Sequence, residues 1–267
     1  MRVHHLDCGP LASGIVTHCL LVETADALVL VDSGFGTADL AEPDRRLGWT
    51  RRVLAPRLDP EHTALRQVAA LGYDPRDVGH IVLTHLDYDH AGGIGDFPRA
   101  RIHVHGPELR AAAAPTGTDR WRYRTAQWAH GPRWSIHERG GAEWFGFPGT
   151  AAPSGLPPEL RLVPLYGHTA GHVGVAIDTG ERWLLHAGDA FVSELQLHRL
   201  LPGLLLAGAA FGVPEPRLAT ARVRTLHRLA ELTRLPGAPV TVFAAHDPIT
   251  FARLANQPEG ERSCAGL

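Results

Sequence analysis

Residues 84–93 read THLDYDHAGG and follow the apolar run Ile81-Val82-Leu83. His85, Asp87, Asp89 and His90 crowd into six residues at the point where that run stops. The apolar residues predict a strand, and AGGIGDF beyond the cluster predicts a turn leading into a helix. On a strand-to-helix turn, side chains can converge. His85 and Asp87, two apart, point one way, while Asp89 and His90 reach a second point nearby. That arrangement suits two metal ions rather than one.

Three more ligand-type side chains stand at the ends of predicted strands: His168 in YGHTAGH, Asp189 in LLHAGDA and His246 in VFAAHDP. Open α/β sheets put their sites at such strand ends. Residues 16–32 (VTHCLLVETADALVLVD) predict a hairpin around a polar turn. A helix is predicted over 60–72, a strand at RIHVH (101–105), and a helix opened by Pro107. Three strands follow between 159 and 190, then a helix near 216–233, a strand at 239–246, and a short helix or tail after Pro248.

Between about 115 and 160 the periodicity fades into an irregular insert rich in Gly, Pro, Trp and Arg. Its tryptophans, Trp121, Trp128, Trp134 and Trp144, argue against disorder. Within it, DRWRYRTAQWAHGPRW (119–134) is the expected lid or substrate wall, formed by Trp121, Tyr123, Arg124, Trp128, His130 and Trp134. Aromatics with arginines make an apolar yet anion-tolerant surface. The alternative is a satellite hydrophobic cluster or a contact between two copies of a homodimer. His4 and His5 are expected to be terminal and inert, and His172 to be structural or to support a ligand. Asp32 is expected to hold the loops near the site through hydrogen bonds.

Composition narrows the function further. The 267 residues fit one domain with a sizeable core, and a formal charge of -2 gives no footprint for nucleic acid or an anionic membrane. There is no lysine, which excludes Schiff-base chemistry and a Walker-type phosphate loop. Cys8, Cys19 and Cys264 are too few and too scattered for a disulfide framework. The longest apolar run, LLPGLLLAGAAF at 200–211, is broken by Pro202 and Gly203, and MRVHHLDCG does not read as a signal peptide. A cytoplasmic protein acting on a small molecule is the expectation.

Taken in order, HLDYDH, GHTAGH, HAGD and AHD, with LVDSG at 30–34, resemble the metallo-β-lactamase-fold hydrolase superfamily from about residue 15 to 250. The resemblance implies an α/β fold, a four-layer αββα sandwich with metals at one edge between the sheets. It also implies that His85, Asp87 and His168 hold a first metal, that Asp89, His90 and His246 hold a second, and that Asp189 bridges them. Most members carry HxHxDH, whereas this chain has Asp87 at the second position, as the flavodiiron proteins of the superfamily have a glutamate there.

With Asp87, three aspartates and a bridging hydroxide neutralise two divalent ions. An oxygen-rich site shifts preference from zinc, the family's usual ion, towards manganese or iron. The expected reaction is hydrolysis of an ester or lactone bond by a metal-bridging hydroxide, with Asp89 orienting the nucleophile or carrying its proton. The spacing from HLDYDH to GHTAGH resembles the lactonase-like subgroup, although Val192 stands where that subgroup often has a tyrosine. A thioesterase would have a further helical region after His246, and a nucleic-acid phosphodiesterase a basic surface. A di-iron oxygen or nitric oxide reductase, and a metal-binding protein without catalysis, are the competing classes.

Overall fold

The computed structural model describes residues 1–117, 119–138, 140–199, 216–237 and 239–256. The apolar run at 200–211, Cys264 and the tail after 256 lie outside the described residues. Twelve strands are described: β1 Arg2–Asp7, β2 His18–Glu23, β3 Leu28–Val31, β4 Val78–Val82, β5 Arg101–His105, β6 Arg133–His137, β7 Ala142–Trp144, β8 Phe147–Thr150, β9 Leu160–Pro164, β10 Val173–Asp178, β11 Trp183–His186 and β12 Val240–Phe243. The first six form one sheet in sequence order, and β12-β11-β10-β9 form a second. The β7-β8 hairpin leads into β9 through the bridge between Ala151 and Leu162.

Alternation along the strands fixes the layers. In β2 and β3, Leu20, Val22, Val29 and Val31 face Val175, Ile177, Leu160, Leu184 and Phe243 of the second sheet, forming the core between the sheets. The intervening Cys19, Leu21 and Leu30 pack outward on Ala64 and Val68 of helix Ala64–Ala70 and on Ile94. The outer face of the second sheet, with Val163, Ala176, Leu185 and Val242, is covered by Leu226, Leu229 and Ala230 of helix Pro216–Leu232. Both faces of both sheets are thus buried, which is the αββα arrangement. Among the described residues no helix is long and apolar enough to cross a membrane.

Two sequence expectations need correction. The insert is not irregular throughout: β6 adds to the first sheet beside β5, and β7-β8 is a regular hairpin. As an edge strand β6 carries little burial pattern, and Ile136 is 52% exposed, so the alternation that marks a strand is weak there. His4 and His5 are not loose terminal residues. They lie on β1, paired antiparallel with β2, where His4 bonds Glu23 at 2.7 Å and His5 bonds His18 at 2.7 Å.

A histidine ladder crosses the parallel part of the first sheet, with 2.9 Å contacts from His80 to His103 and from His103 to His137. Burial, followed by the neighbouring His137 and His80, pushes the buried His103 down to about 3. The unfolded chain protonates this residue near 6.5, so the unfolded state takes up the proton first. Stability from the ladder is therefore complete above about pH 6.5 and is lost as pH falls from there towards 3. Urea midpoints should drop between pH 7.5 and 5.5 in the wild type and drop less in His103→Gln; equal drops would contradict this assignment.

Candidate metal centre

The cluster is assembled by loops held backbone against backbone. At Gly93 a Cβ would stand 2.4 Å from the Ser33 carbonyl oxygen, so the glycines of AGG let the loop after the cluster lie directly on the LVDSG loop. Ser33 N–H and its hydroxyl both donate to the carbonyl of His90, each at 2.9 Å. Asp32 adopts the left-handed region at φ 57°, a conformation aspartate tolerates better than most residues. Its carboxylate accepts from Thr84 N–H and Thr84 Oγ1, each at 2.8 Å, and from His90 Nδ1 at 2.8 Å. Asp32 thus holds the loops as its sequence context predicts.

These contacts also fix which imidazole nitrogen faces the cluster. His90 donates from Nδ1 to Asp32, and His246 donates from Nδ1 to the Val16 carbonyl at 2.8 Å. The Thr84 hydroxyl gives its proton to Asp32, so His85 Nδ1, 2.9 Å away, is the donor to Thr84. Each of the three rings therefore turns Nε2 inward, oriented by an outer partner as ligating histidines are.

Two groups of side chains meet there: His85, Asp87, His168 and Asp189 in one, and Asp89, His90 and His246 in the other. The potential ligand atoms of each lie within 4.8 Å of one another. Asp189 joins the groups. Its Oδ2 is 3.8 Å from His85 Nε2 and 3.4 Å from His168 Nε2, while its Oδ1 is 3.2 Å from both His90 Nε2 and His246 Nε2. Asp87 Oδ2 sits 3.4 Å from His85 Nε2 and 3.0 Å from His168 Nε2, and Asp89 Oδ2 is 3.5 Å from His246 Nε2. All seven sequence candidates converge.

The donor set fits divalent cations. His85 Nε2, Asp87 Oδ1 and Asp189 Oδ1 are buried with no hydrogen-bond partner, and buried polar atoms of that kind want a ligand. Charge leads to the same conclusion. Burial opposes ionisation of Asp87, yet Arg122 and His85 hold its carboxyl well below the usual range; at Asp189, His246 and His90 do the same. Burial likewise opposes a charge on His246, but Asp189 raises it to about 9. The carboxylates create a demand for positive charge at the point where the Nε2 atoms converge.

Several further residues support the cluster. Glu108, on helix Gly106–Ala113, is fully buried and accepts from Leu86 N–H, Tyr123 Oη, Thr169 Oγ1 and Gly171 N–H at 2.6–3.1 Å. It ties the 85–90 loop to the 168–172 loop. His172 accepts from Asp189 N–H at 3.0 Å and donates from Nδ1 to the Leu165 carbonyl, a supporting role as expected. Tyr88 stacks on Phe35, and burial with the charges of Asp89 and Asp87 pushes its phenol well up, leaving a neutral donor in the cluster's field. Arg122 places Nε 3.6 Å from Asp87 Oδ1 and donates to the His168 carbonyl at 3.0 Å.

The expected substrate wall is only partly there. Trp128 and Trp134 pack against the outer core of the first sheet, Tyr123 is buried on Glu108, and Arg124 donates to the Arg46 carbonyl at 3.0 Å. Hydrophobic burial and backbone satisfaction claim these four. His130 lies over Gly95. Trp121 remains exposed, paired with Trp49 at 5.2 Å between ring centroids. No signal separates Arg122 from its neighbours in sequence; its position follows from the bridge between Tyr123 and Asp87.

This fold and cluster define a metallo-hydrolase. The profile of the Metallo-beta-lactamase superfamily matches residues 13–246, and the chain belongs to that family. A probable metallo-hydrolase of Mycobacterium tuberculosis is 44% identical over 256 residues, covering 93% of this chain and 81% of the relative. An N-acyl homoserine lactonase of Rhizobium johnstonii is 26% identical, covering 90% and 84%. The solved structure of an N-acyl homoserine lactone hydrolase with N-hexanoyl-L-homoserine at its catalytic metal centre shares the fold, with TM-score 0.67, 22% identity, and 99% and 96% coverage.

Because Asp32 orients two of the loops, Asp32→Asn should weaken divalent-metal affinity by roughly 10- to 100-fold, measured by competition with a chelator. Unchanged affinity would show that the tautomers of His85 and His90 are fixed in some other way.

Proposed function

We propose that the protein is a dinuclear, zinc-dependent hydrolase of an ester or lactone bond in a small organic substrate. The observation that carries this reading is Asp189, whose two oxygens divide between His85 and His168 on one side and His90 and His246 on the other. His85, Asp87 and His168 would hold one ion, and Asp89, His90 and His246 the other. Ions held there would supply an acidified water as nucleophile, with its pKa lowered towards about 7, and a Lewis acid for the scissile carbonyl.

The chain's own residues supply the rest. Asp89, 3.5 Å from His246 and only 6% exposed, is positioned to orient the nucleophile and pass its proton to the leaving group. Tyr88 offers a neutral hydroxyl, which Val192 lacks, to assist a substrate oxygen. The exposed Trp49-Trp121 pair, next in sequence to Arg122, offers an apolar wall. The lactonase relatives favour a lactone or ester over a phosphoester. Asp87 keeps a second reading in view, a di-iron redox enzyme, because carboxylate oxygen suits iron.

The test is a panel of esters, lactones, thioesters and phosphodiesters offered to zinc-, manganese- and iron-loaded protein, alongside Asp189→Asn. Ester or lactone turnover should fall in the variant by more than the roughly 10- to 100-fold that loss of an outer partner costs. Oxygen or nitric oxide consumption by the iron form without ester hydrolysis would establish the second reading instead.

A further inference from the structure

Arg222 is a buried cation that the metal centre does not use. It lies on helix Pro216–Leu232, is 6% exposed, and its Nε and Nη1 have no hydrogen-bond partner among the described residues. Guanidinium N–H groups buried without an acceptor are costly, because the hydration they lose is not replaced. It is held in place by the His168 loop. Thr225, one turn along the helix, donates from Oγ1 to the Tyr166 carbonyl at 2.8 Å, and a Cβ at Gly167 would lie 2.3 Å from Arg222 Cα. The helix is thereby pressed against the residue that precedes a candidate ligand.

The loop carries a second guanidinium on Arg122, which donates to the His168 carbonyl and lies 3.6 Å from Asp87 Oδ1. Its side chain is 10% exposed. Arg122, on the His168 carbonyl, and Arg222, against Gly167, border the same loop at adjacent residues. Arg122 has partners there, whereas Arg222 Nε and Nη1 have none among the described residues. The fixed fork of a guanidinium matches the two oxygens of a carboxylate or phosphate, and two cations bordering one loop favour an anion there.

We infer that Arg222, bordering the loop that Arg122 also holds, binds an oxyanion on the substrate, so that the preferred ester or lactone carries a carboxylate or phosphate close to the scissile bond. This rests on the hydrolase reading and narrows it, since a neutral acyl lactone leaves Arg222 unpaired.

The experiment compares kcat/KM for monophenyl succinate, its neutral methyl ester and the phenyl ester of 3-phosphonopropionate, in metal-loaded wild type and Arg222→Met. Calorimetric binding of succinate and thermal melting are measured on both proteins. The wild type should prefer an anionic ester by roughly 10- to 100-fold, the size expected of a charged hydrogen bond, and Arg222→Met should lose that preference while keeping its rate on the neutral ester. The better of the two anionic esters identifies carboxylate or phosphate. The variant should melt no lower than wild type, because an unpaired buried charge has been removed.

Equal rates on charged and neutral esters, equal losses on both in the variant, or a lowered melting temperature would overturn the inference. If no ester is hydrolysed yet succinate binds in an Arg222-dependent way, the hydrolase reading fails and the oxyanion site stands.

Discussion

Three aspartates, Asp87, Asp89 and Asp189, are buried in one cluster, each 7% exposed or less, and the surrounding structure answers their need for positive charge. Taking a carboxylate out of water costs several kcal/mol unless charge or hydrogen bonds replace the solvent. Here four imidazoles and the Arg122 guanidinium surround the carboxylates, and three partnerless atoms show that compensation is incomplete without cations. The electrostatics and the ligand geometry therefore lead to the same conclusion from separate observations.

The fold is arranged to hold that cluster still. Asp32 fixes Thr84 and His90, Glu108 joins the loops at 86 and 169–171, and His172 positions Asp189 by its backbone. Each anchor sits at or just beyond the end of a strand, where the core between the sheets gives way to loops. The rigid apolar layers carry little chemistry themselves. They set the separation at which His246 from the second sheet meets His90 from the first, with Nε2 atoms 3.4 Å apart.

Much of this was legible in the sequence, because the cluster residues fall in short local motifs and strand ends are marked by apolar runs. HLDYDH, His168, Asp189 and His246 converge as their spacing and family resemblance imply. Asp32 and His172 take their expected roles. What escaped depends on contacts between distant segments: Glu108 resembles any glutamate in a helix, and Arg122 and Arg222 are two among 26 arginines. The tryptophans of the insert are ambiguous for the opposite reason. Large aromatic area is as useful to a core as to a substrate wall, and Trp128 and Trp134 serve the core.

The most direct test of the account is the number of divalent ions bound per chain, by elemental analysis of wild type and Asp87→Ala purified in parallel. The account predicts two ions in the wild type and one in the variant, because Asp87 serves only the group formed with His85, His168 and Asp189. One ion in the wild type, or two retained without Asp87, would contradict the assignment of two metal positions joined by Asp189.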